Sequence, residues 1–182
     1  MPRYVAFLRA INVGGRVVTM EALRGHFGGA GFAGVETFIA SGNVIFDAKA
    51  KAGPALEKRI ETVLREALGF EVPTFVRALS DVVRASERQV YPEPDVAAAS
   101  ALLVGLMKGP LDAAAARRLA ALNSDLHTFR SEGAELYWLC KVKQSESKLT
   151  PAQIERALGG PVTLRAISSA RKLVAKHCTT GG

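Results

Sequence analysis

A glycine-bearing segment near the N-terminus has the residue types that bind anions. Residues 12–16 read NVGGR and precede Thr19, which can cap a helix. Glycine lets the backbone approach a ligand closely and adopt a positive φ. The free N–H groups of a helix N-terminus attract negative charge, and Arg9 or Arg16 could add the forked donors of a guanidinium. The segment therefore indicates a site for a phosphate-bearing ligand, either a nucleotide or nucleic acid.

Two further segments carry polar side chains suited to the same chemistry. Residues 41–43 read SGN and lie between two apolar runs. Residues 141–150 form a basic stretch in which Lys148 lies two residues before Thr150, a second helix cap. A cation beside a helix N-terminus can help to hold an anion there. The candidate ligand-binding residues are Arg9, Asn12, Gly14, Gly15, Arg16, Ser41, Gly42, Asn43 and Lys148.

Each segment also has a structural interpretation. Two glycines make a turn between a strand and a helix, and Ser-Gly-Asn makes a hairpin turn. An enzyme that uses the same segments as an oxyanion cradle is an alternative, although no general base can be named and the catalytic residues are unknown. Ser145 and Lys148 match the Ser-x-x-Lys pattern of acyl-transfer enzymes, but so short a match arises by chance in a chain of this length. A dimerisation or scaffold protein is the third alternative.

The histidines and cysteines do not suggest a metal site. His26, His127 and His177 are scattered, and only His177 and Cys178 are neighbours, while Cys140 ends an apolar run. Two adjacent ligands do not make a zinc site. The sequence also lacks a Walker A motif. We therefore expect neither a metal nor a cofactor.

Composition and charge are those of a globular protein with basic ends. The chain has 182 residues, of which 48% are hydrophobic and 23% charged, enough for one domain or two small ones with a sizeable core. The net charge is +7. Residues 1–20 hold three arginines and no acidic residue, and residues 141–182 hold eight basic and two acidic residues. Clustered positive charge favours phosphates, nucleic acid or acidic partners, although a merely basic surface is the simpler explanation.

The sequence carries no evident membrane or secretion signal. The longest apolar run, residues 97–107, is too short to span a bilayer, and the N-terminus lacks a cleavage pattern. Two cysteines do not make a disulfide framework. We therefore expect a cytoplasmic protein that does not associate with membranes.

The first half of the chain predicts the element order β-α-β-β-α-β, which is the ferredoxin-like unit. The expected strands are 4–11, 35–40, 44–47 and 72–78, and the expected helices are 19–28 and 54–68. Residues 41–43 make the second and third strands a hairpin. Pro54 suits the start of the second helix, and Gly69 suits its end.

The second half predicts the same order again. The expected strands are 101–107, 126–130, 134–140 and 162–165, and the expected helices are 111–122 and 151–158, with a final helix after Ser168 or Ser169. Thr150, Pro151 and Gln153 form the sequence of a capping box with proline at the first helical position.

The predicted fold class is therefore α+β, with two ferredoxin-like units in tandem, mainly antiparallel sheets and an extra C-terminal helix. We divide the chain into a first subdomain at 1–88, a linker at 89–100, a second subdomain at 101–178 and a frayed tail at 179–182. Ser80 could cap a short helix at the end of the first subdomain. Two prolines, Pro92 and Pro94, are expected to block regular structure in the linker.

The topology places the candidate segments together. In this unit the strands lie in the spatial order 4-1-3-2, so that the loop after the first strand and the hairpin after the second emerge at one end of the sheet, about 10 Å apart. Strands 4–8 and 102–107 are apolar on both faces, whereas helices cover only one face. Because a large exposed apolar patch is unfavourable, either the other half or a second subunit must cover the second face, which makes a homodimer possible.

Two blocks of the sequence resemble the bacterial domain-of-unknown-function family 1697. Residues 4–15 (YVAFLRAINVGG) are similar to the family's "LLRGINVGG", and residues 37–46 (TFIASGNVIF) are similar to its "TYIQSGNVVF". Residues 69–73 and 147–150 also resemble its later blocks. The resemblance implies a two-part α+β structure with ferredoxin-like character and implies no activity.

This chain departs from the family pattern at two places. Ala10 occupies a position where the family usually has glycine. Residues 165–169 (RAISS) align with the family's late block "RNWNT", of which Arg165 alone is retained. Any function that the asparagine and tryptophan of that block serve in the family is therefore not expected here.

Overall fold

Each half of the chain forms a four-stranded antiparallel sheet. The computed structural model describes residues 1–39 and 42–178. The chain divides into two compact units, Met1–Val82 and Val83–Gly182. The predicted tail at 179–182 lies outside the described residues, as do Ala40 and Ser41.

In the first unit the sheet has the order β2-β3-β1-β4. Its elements are β1 (Arg3–Leu8), α1 (Met20–Gly29), β2 (Ala33–Phe38), β3 (Asn43–Asp47), α2 (Pro54–Leu68) and β4 (Thr74–Ala78), followed by α3 (Leu79–Glu87). The boundary between the two units falls within α3. Both the element order and the spatial order of the strands agree with the prediction.

In the second unit the sheet has the equivalent order β6-β7-β5-β8. Its elements are α4 (Glu93–Ala98), β5 (Ala101–Met107), α5 (Ala113–Ala120), β6 (His127–Glu132), β7 (Glu135–Cys140), α6 (Pro151–Leu158), β8 (Val162–Ala166) and α7 (Ile167–Cys178), with a short 3₁₀ turn at Gln144–Glu146. The fold class is confirmed as α+β, with two ferredoxin-like units and a C-terminal helix.

Local capping residues explain why the helices begin and end where they do. The Oγ1 of Thr19 accepts a hydrogen bond from the N–H of Ala22 at 3.1 Å, and Gly69 ends α2 with a φ of +81°. The capping box of α6 is formed by Thr150 and Gln153 as predicted. These signals are local, which is why the sequence shows them.

Two short segments differ from expectation. Residues 89–100 contain α4, although Pro92 and Pro94 led us to expect no regular structure there. Both prolines fall at the helix start, where no backbone N–H is needed, so they are compatible with the helix. The last helix begins at Ile167, directly after β8, and not after Ser168 or Ser169.

Helices cover one face of each sheet and form its core. In the first unit α1 and α2 pack on β1 and β3, and the core residues are Tyr4, Ala6, Leu23, Phe27, Val44, Phe46, Ile60 and Leu64. In the second unit α5 and α6 pack on the sheet around Trp138, and the core residues are Leu103, Leu119, Phe129, Leu136, Trp138, Ile154 and Leu158. On the opposite face of the first sheet Val5, Phe7 and Phe75 are buried as well.

Two carboxylates of α2 close the outer edge of β4. The N–H of Val76 donates to Glu57 Oε1 at 2.9 Å, and the N–H of Thr74 donates to Glu61 Oε1 at 2.9 Å. Four residues of helix rise about 6 Å, which is close to the rise of two strand residues, about 6.7 Å. The spacing of the two glutamates therefore matches the spacing of the outward N–H groups. In the second unit the N–H of Val162 in β8 donates to Glu155 at 3.2 Å in the same way.

Candidate functional site

The loop between β1 and α1 is an exposed turn held at its base by Asn12. The N–H of Val18 donates to Asn12 Oδ1 at 2.7 Å, and Ile11 and Val18 are buried, whereas residues 12–17 are exposed. Asn12 thus fixes the loop to the start of α1. Asn12 is one of the predicted ligand-binding residues, and in this structure its side-chain oxygen closes the loop.

Within this loop Gly14 and Gly15 form a tight turn. The N–H of Arg16 donates to the carbonyl of Val13 at 3.2 Å. Gly14 and Gly15 have φ values of +62° and +81°, as in a type I′ turn. A Cβ added at either glycine would meet no atom within 4 Å, so the turn projects into open space.

The N–H groups of this turn remain available. Among residues 1–39 and 42–178, the N–H groups of Gly14 and Gly15 have no hydrogen-bond partner. Successive N–H groups in a turn form a concave donor surface that suits an anion. The turn can therefore offer two donors to one oxyanion.

Two strained residues flank the candidate segments. Ala10 has a φ of +54° and Ile39 a φ of +49°, and within the described part of the chain no other non-glycine residue has a positive φ. This conformation costs an L-residue about 1–2 kcal/mol, and a β-branched residue such as Ile39 rarely adopts it. Strain of this kind is concentrated at functional sites.

Gly42 contacts the end of β1 and Ile11, directly before the glycine loop. The N–H of Leu8, at the end of β1, donates to the carbonyl of Gly42 at 2.8 Å. A Cβ on Gly42 would lie 2.7 Å from Ile11 Cγ2 and 3.1 Å from Leu8 Cβ. Only glycine fits there, so Gly42 packs against the residues that lead into the glycine loop.

Asn43 supports the hairpin from inside. It is buried, and its Nδ2 donates to the carbonyl of Phe38 at 3.0 Å. This side chain, also predicted to contact a ligand, joins the two ends of the turn. Ser41 lies outside the described residues.

Arg9 and Arg16 lie at the same end of the first sheet as the glycine turn. The guanidinium of Arg16 lies over the ring of Phe70, 4.2 Å from its centroid, a cation–π contact that fixes the position of the charge. The N–H of Arg9 donates to the carbonyl of Pro73 at 2.9 Å. The structure therefore adds Phe70 and the 70–73 segment to the predicted residues. The signal that could have found Phe70 is its place directly after Gly69, where α2 ends beside this rim.

Apolar side chains are exposed on and beside these loops. Val13 is 54% exposed, Val17 83% and Ile39 43%. These apolar side chains lie on or beside the loop that carries the two N–H donors of the glycine turn and the guanidinium of Arg16. The rim therefore combines positive charge with an apolar surface.

Lys148, the remaining predicted residue, belongs to the second unit. It lines a cavity of about 390 Å³ beside the N-terminus of α6, together with His127, Ser147 and Gln153. The indole N–H of Trp138 donates to His127 Nδ1 at 3.2 Å, so the remaining proton of a neutral ring is on Nε2. Burial lowers the pKa of His127 below 6.5, which favours that neutral form.

The neutral ring fixes the direction of the Ser147 contact. His127 Nε2 lies 3.2 Å from Ser147 Oγ, and this oxygen also accepts from the N–H of Leu149 at 3.1 Å. With its proton on Nε2, His127 donates to Ser147 and does not accept the serine proton. This geometry does not activate the serine as a nucleophile.

Residues 29–34 (GAGFAG) match the glycine spacing of the dinucleotide-binding pattern. That pattern requires a strand before the glycines and a helix after them. Here Gly29 ends α1 and Gly34 lies in β2, which is the reverse context. The match carries no functional meaning.

The described residues contain neither a metal-binding cluster nor a membrane-spanning helix. Within 1–39 and 42–178, no group of three or more histidine, cysteine, aspartate or glutamate side chains could hold a metal ion. None of the helices in this part of the chain has both the length and the hydropathy needed to span a bilayer.

The fold and the rim together define a class of protein: an α+β chain of two ferredoxin-like units with an exposed glycine loop at the end of the first sheet. The chain belongs to the family described as protein of unknown function (DUF1697), whose model matches residues 1–137. The resemblance drawn from the sequence is thereby confirmed.

A solved structure of a conserved bacterial protein from Streptococcus pneumoniae is similar to this chain. The two share 24% sequence identity with a TM-score of 0.73, over 97% of this chain and 98% of that one. At this level of sequence identity the similarity shows a shared fold. A comparison with curated proteins finds no match.

Proposed function

We propose that the loop after β1 binds the phosphate group of a nucleotide or nucleic acid. The observation that carries this proposal is the pair of unbonded N–H groups at Gly14 and Gly15, exposed in a turn flanked by strained Ala10 and Ile39. A phosphate oxygen is a strong acceptor for such donors. Arg9 and Arg16 supply positive charge beside this loop, whereas Arg3, at the start of β1, is paired with Glu36 and Asp47.

The remaining candidate residues have different roles in this proposal. Arg16, positioned on Phe70, adds a guanidinium to the phosphate, and Arg9 adds a second positive charge. Asn12, Gly42 and Asn43 hold the two segments in place, and Ser41 adds a hydroxyl. Lys148 would attract an anion in the cavity of its own unit. The exposed apolar side chains suit the base or sugar of a nucleotide better than a bare phosphate.

A cytoplasmic location is part of the same proposal. Both cysteines are free, and Cys178 is exposed. An exposed unpaired thiol is more typical of a reducing compartment than of an oxidising one.

The first prediction is that Arg16→Ala weakens binding of the ligand. A thermal-shift screen with nucleotides, sugar phosphates and short oligonucleotides identifies a ligand, since a concentration of 100 Kd stabilises the fold by about 2.7 kcal/mol. Arg16→Ala should then reduce the affinity about tenfold, as expected for a charge-assisted hydrogen bond. Added salt should weaken binding by wild type more than by the variant.

Arg117→Ala is the matched control, because Arg117 is an exposed arginine on α5 of the other unit. It removes the same charge and should leave the affinity unchanged. If no phosphate compound stabilises the wild-type protein, or if the two variants bind equally well, the proposal is wrong.

A further inference from the structure

A second cavity, of about 500 Å³, lies in the second unit and contains two arginines. It is lined by Arg88, Gln89, Val90, Arg130, Ser131 and Glu132. The first three follow α3, and the others form the end of β6, which is an edge strand of its sheet. The whole cavity therefore belongs to one unit and does not involve the glycine loop of the first unit.

Arg88 lines this cavity and also carries a buried donor that is unsatisfied. Its Nη1 is buried and has no hydrogen-bond partner within residues 1–39 and 42–178. Burial raises the pKa of Tyr137, and the nearby charge and hydrogen bonding of Arg88 oppose that rise. Arg88 therefore lies beside a neutral phenol, whose hydroxyl donates to the carbonyl of Ala85 at 2.8 Å.

Neutral groups also hold Arg130 in place. It donates to the carbonyl of Val90, and its guanidinium lies 4.9 Å from the ring centroid of Tyr91. The hydroxyl of Tyr91 is in turn 2.8 Å from the carbonyls of Thr128 and Tyr137. The position of the Arg130 cation is thus fixed before any ligand arrives.

Within the described residues neither of the two positive charges is paired directly with an acid. In the described part of the chain neither Arg88 nor Arg130 forms an ion pair, and Glu132, which lines the same cavity, contacts neither within ion-pair distance. Two like charges at one cavity repel each other. A buried charged donor without a partner is also unfavourable. One oxyanion that accepts from both guanidinium groups would relieve the repulsion between the two charges.

We propose that this cavity binds a small oxyanion, the carboxylate or phosphate group of a metabolite, between Arg88 and Arg130. The guanidinium groups of Arg88 and Arg130, which both line the cavity, donate to this oxyanion. Both groups have the planar fork that matches two oxygens on one carbon or phosphorus. The size of the cavity suits a ligand of a few non-hydrogen atoms beyond the anionic group.

The test is calorimetric titration of the full-length protein with inorganic phosphate, pyrophosphate and citrate at low ionic strength. At least one probe should bind saturably, and the ranking of the three separates phosphate from carboxylate recognition. Arg88→Met and Arg130→Met should each weaken binding about tenfold or more. Arg117→Met should leave the affinity within about twofold, because an exposed charge remote from a site has little effect on it.

Arg16→Ala separates this proposal from the previous one, since it should leave binding at this cavity intact. Arg88→Lys covers the case in which Arg88→Met does not fold, because it keeps the charge and removes the fork. It should also bind more weakly than the wild type. Absence of saturable binding for all three probes, or unchanged affinity in the variants of either arginine, overturns the proposal.

Discussion

Ala10 holds a backbone conformation that favours glycine. Its φ of +54° lies in the left-handed region, and the family motif usually has glycine at this position. The chain keeps the conformation without the residue that best tolerates it. The hydrogen bond between the N–H of Arg9 and the carbonyl of Pro73, together with the buried Ile11, fixes the backbone on both sides of Ala10.

We predict that Ala10→Gly stabilises the protein by about 0.5–1 kcal/mol. Glycine relieves the left-handed strain of the folded state, and this gain in free energy exceeds the cost of the greater conformational entropy that glycine gives the unfolded chain. Urea denaturation measures the free energy of unfolding. The control is Ala116→Gly on the exposed face of α5, which should destabilise by about 1 kcal/mol because helical alanine has no such strain. A loss of stability in Ala10→Gly would contradict the strain argument.

His127 makes a pH-dependent contribution to the free energy of unfolding. Protonation would place an N–H on Nδ1, against the indole N–H of Trp138. Burial also disfavours the charged ring and lowers the pKa of His127 below its ordinary value of 6.5. Two neighbouring donors cannot hydrogen-bond to each other, so the folded state requires the neutral ring.

We predict that the stability contributed by His127 is complete above about pH 6.5 and is lost as the pH falls below it. The unfolded chain then takes up a proton that the folded chain does not. An NMR titration of the imidazole should give a pKa below 6.5, and Trp138→Phe, which removes the indole donor, should raise that pKa. A ring that titrates at or above the ordinary histidine value in the wild type would rule out this account.

At the scale of elements, α2 has two roles in the first unit. Its apolar face forms the core through Ile60 and Leu64. Its glutamates accept hydrogen bonds from the outer edge of β4. Glu57 is itself buried, and Arg77 lies 3.9 Å from it. The helix therefore replaces the neighbouring strand that β4 lacks.

We predict that Glu57→Ala destabilises the protein by about 1–3 kcal/mol, because the N–H of Val76 is left buried without a partner. Glu57→Gln should lose less, since its amide oxygen can still accept. Glu66→Ala, at an exposed position of the same helix, should change the free energy of unfolding by less than about 0.5 kcal/mol. Equal losses for Glu57→Ala and Glu66→Ala in urea denaturation would refute this role.

The sequence predicts the elements well where their signals are local. Thr19, Pro54 and Gly69 mark helix ends through their own backbone or side-chain chemistry, and glycine marks the turns of the candidate site. The prolines of residues 89–100 misled the prediction because the same residue breaks a helix or begins one, according to its position.

The residue contacts within the two candidate sites could not be predicted, because they depend on packing between residues that are distant in sequence. Arg16 meets Phe70 across more than fifty positions, and Arg88 and Arg130 meet only when the sheet has formed. Similarly, the sequence shows that Asn12 and Asn43 are polar. It does not show that the fold uses their side chains to close its own loops.

At the scale of the whole molecule, the two units repeat a topology without repeating its chemistry. The counterpart of the glycine loop in the second unit follows β5 and contains Lys108, Gly109 and Pro110, beside a cavity of about 190 Å³. Proline has no N–H, so this loop offers fewer donors than Gly14 and Gly15. The second unit instead has an arginine pair beside the edge strand β6, in which Arg130 lies on the strand and Arg88 follows α3. The same scaffold has therefore acquired different candidate sites beside different strands.

The glutamate contacts of β4 and β8 also limit how copies of this chain could polymerise. A foreign strand can join a sheet only where backbone groups are free. On β4 and β8 outward N–H groups are already occupied by α2 and α6, and on β6 the N–H groups of His127 and Phe129 donate to Ser124 and Asn123. An added strand would therefore meet occupied N–H groups on three of the four edge strands, so the native fold is a poor template for the endless ribbon of strands from which a fibril is made.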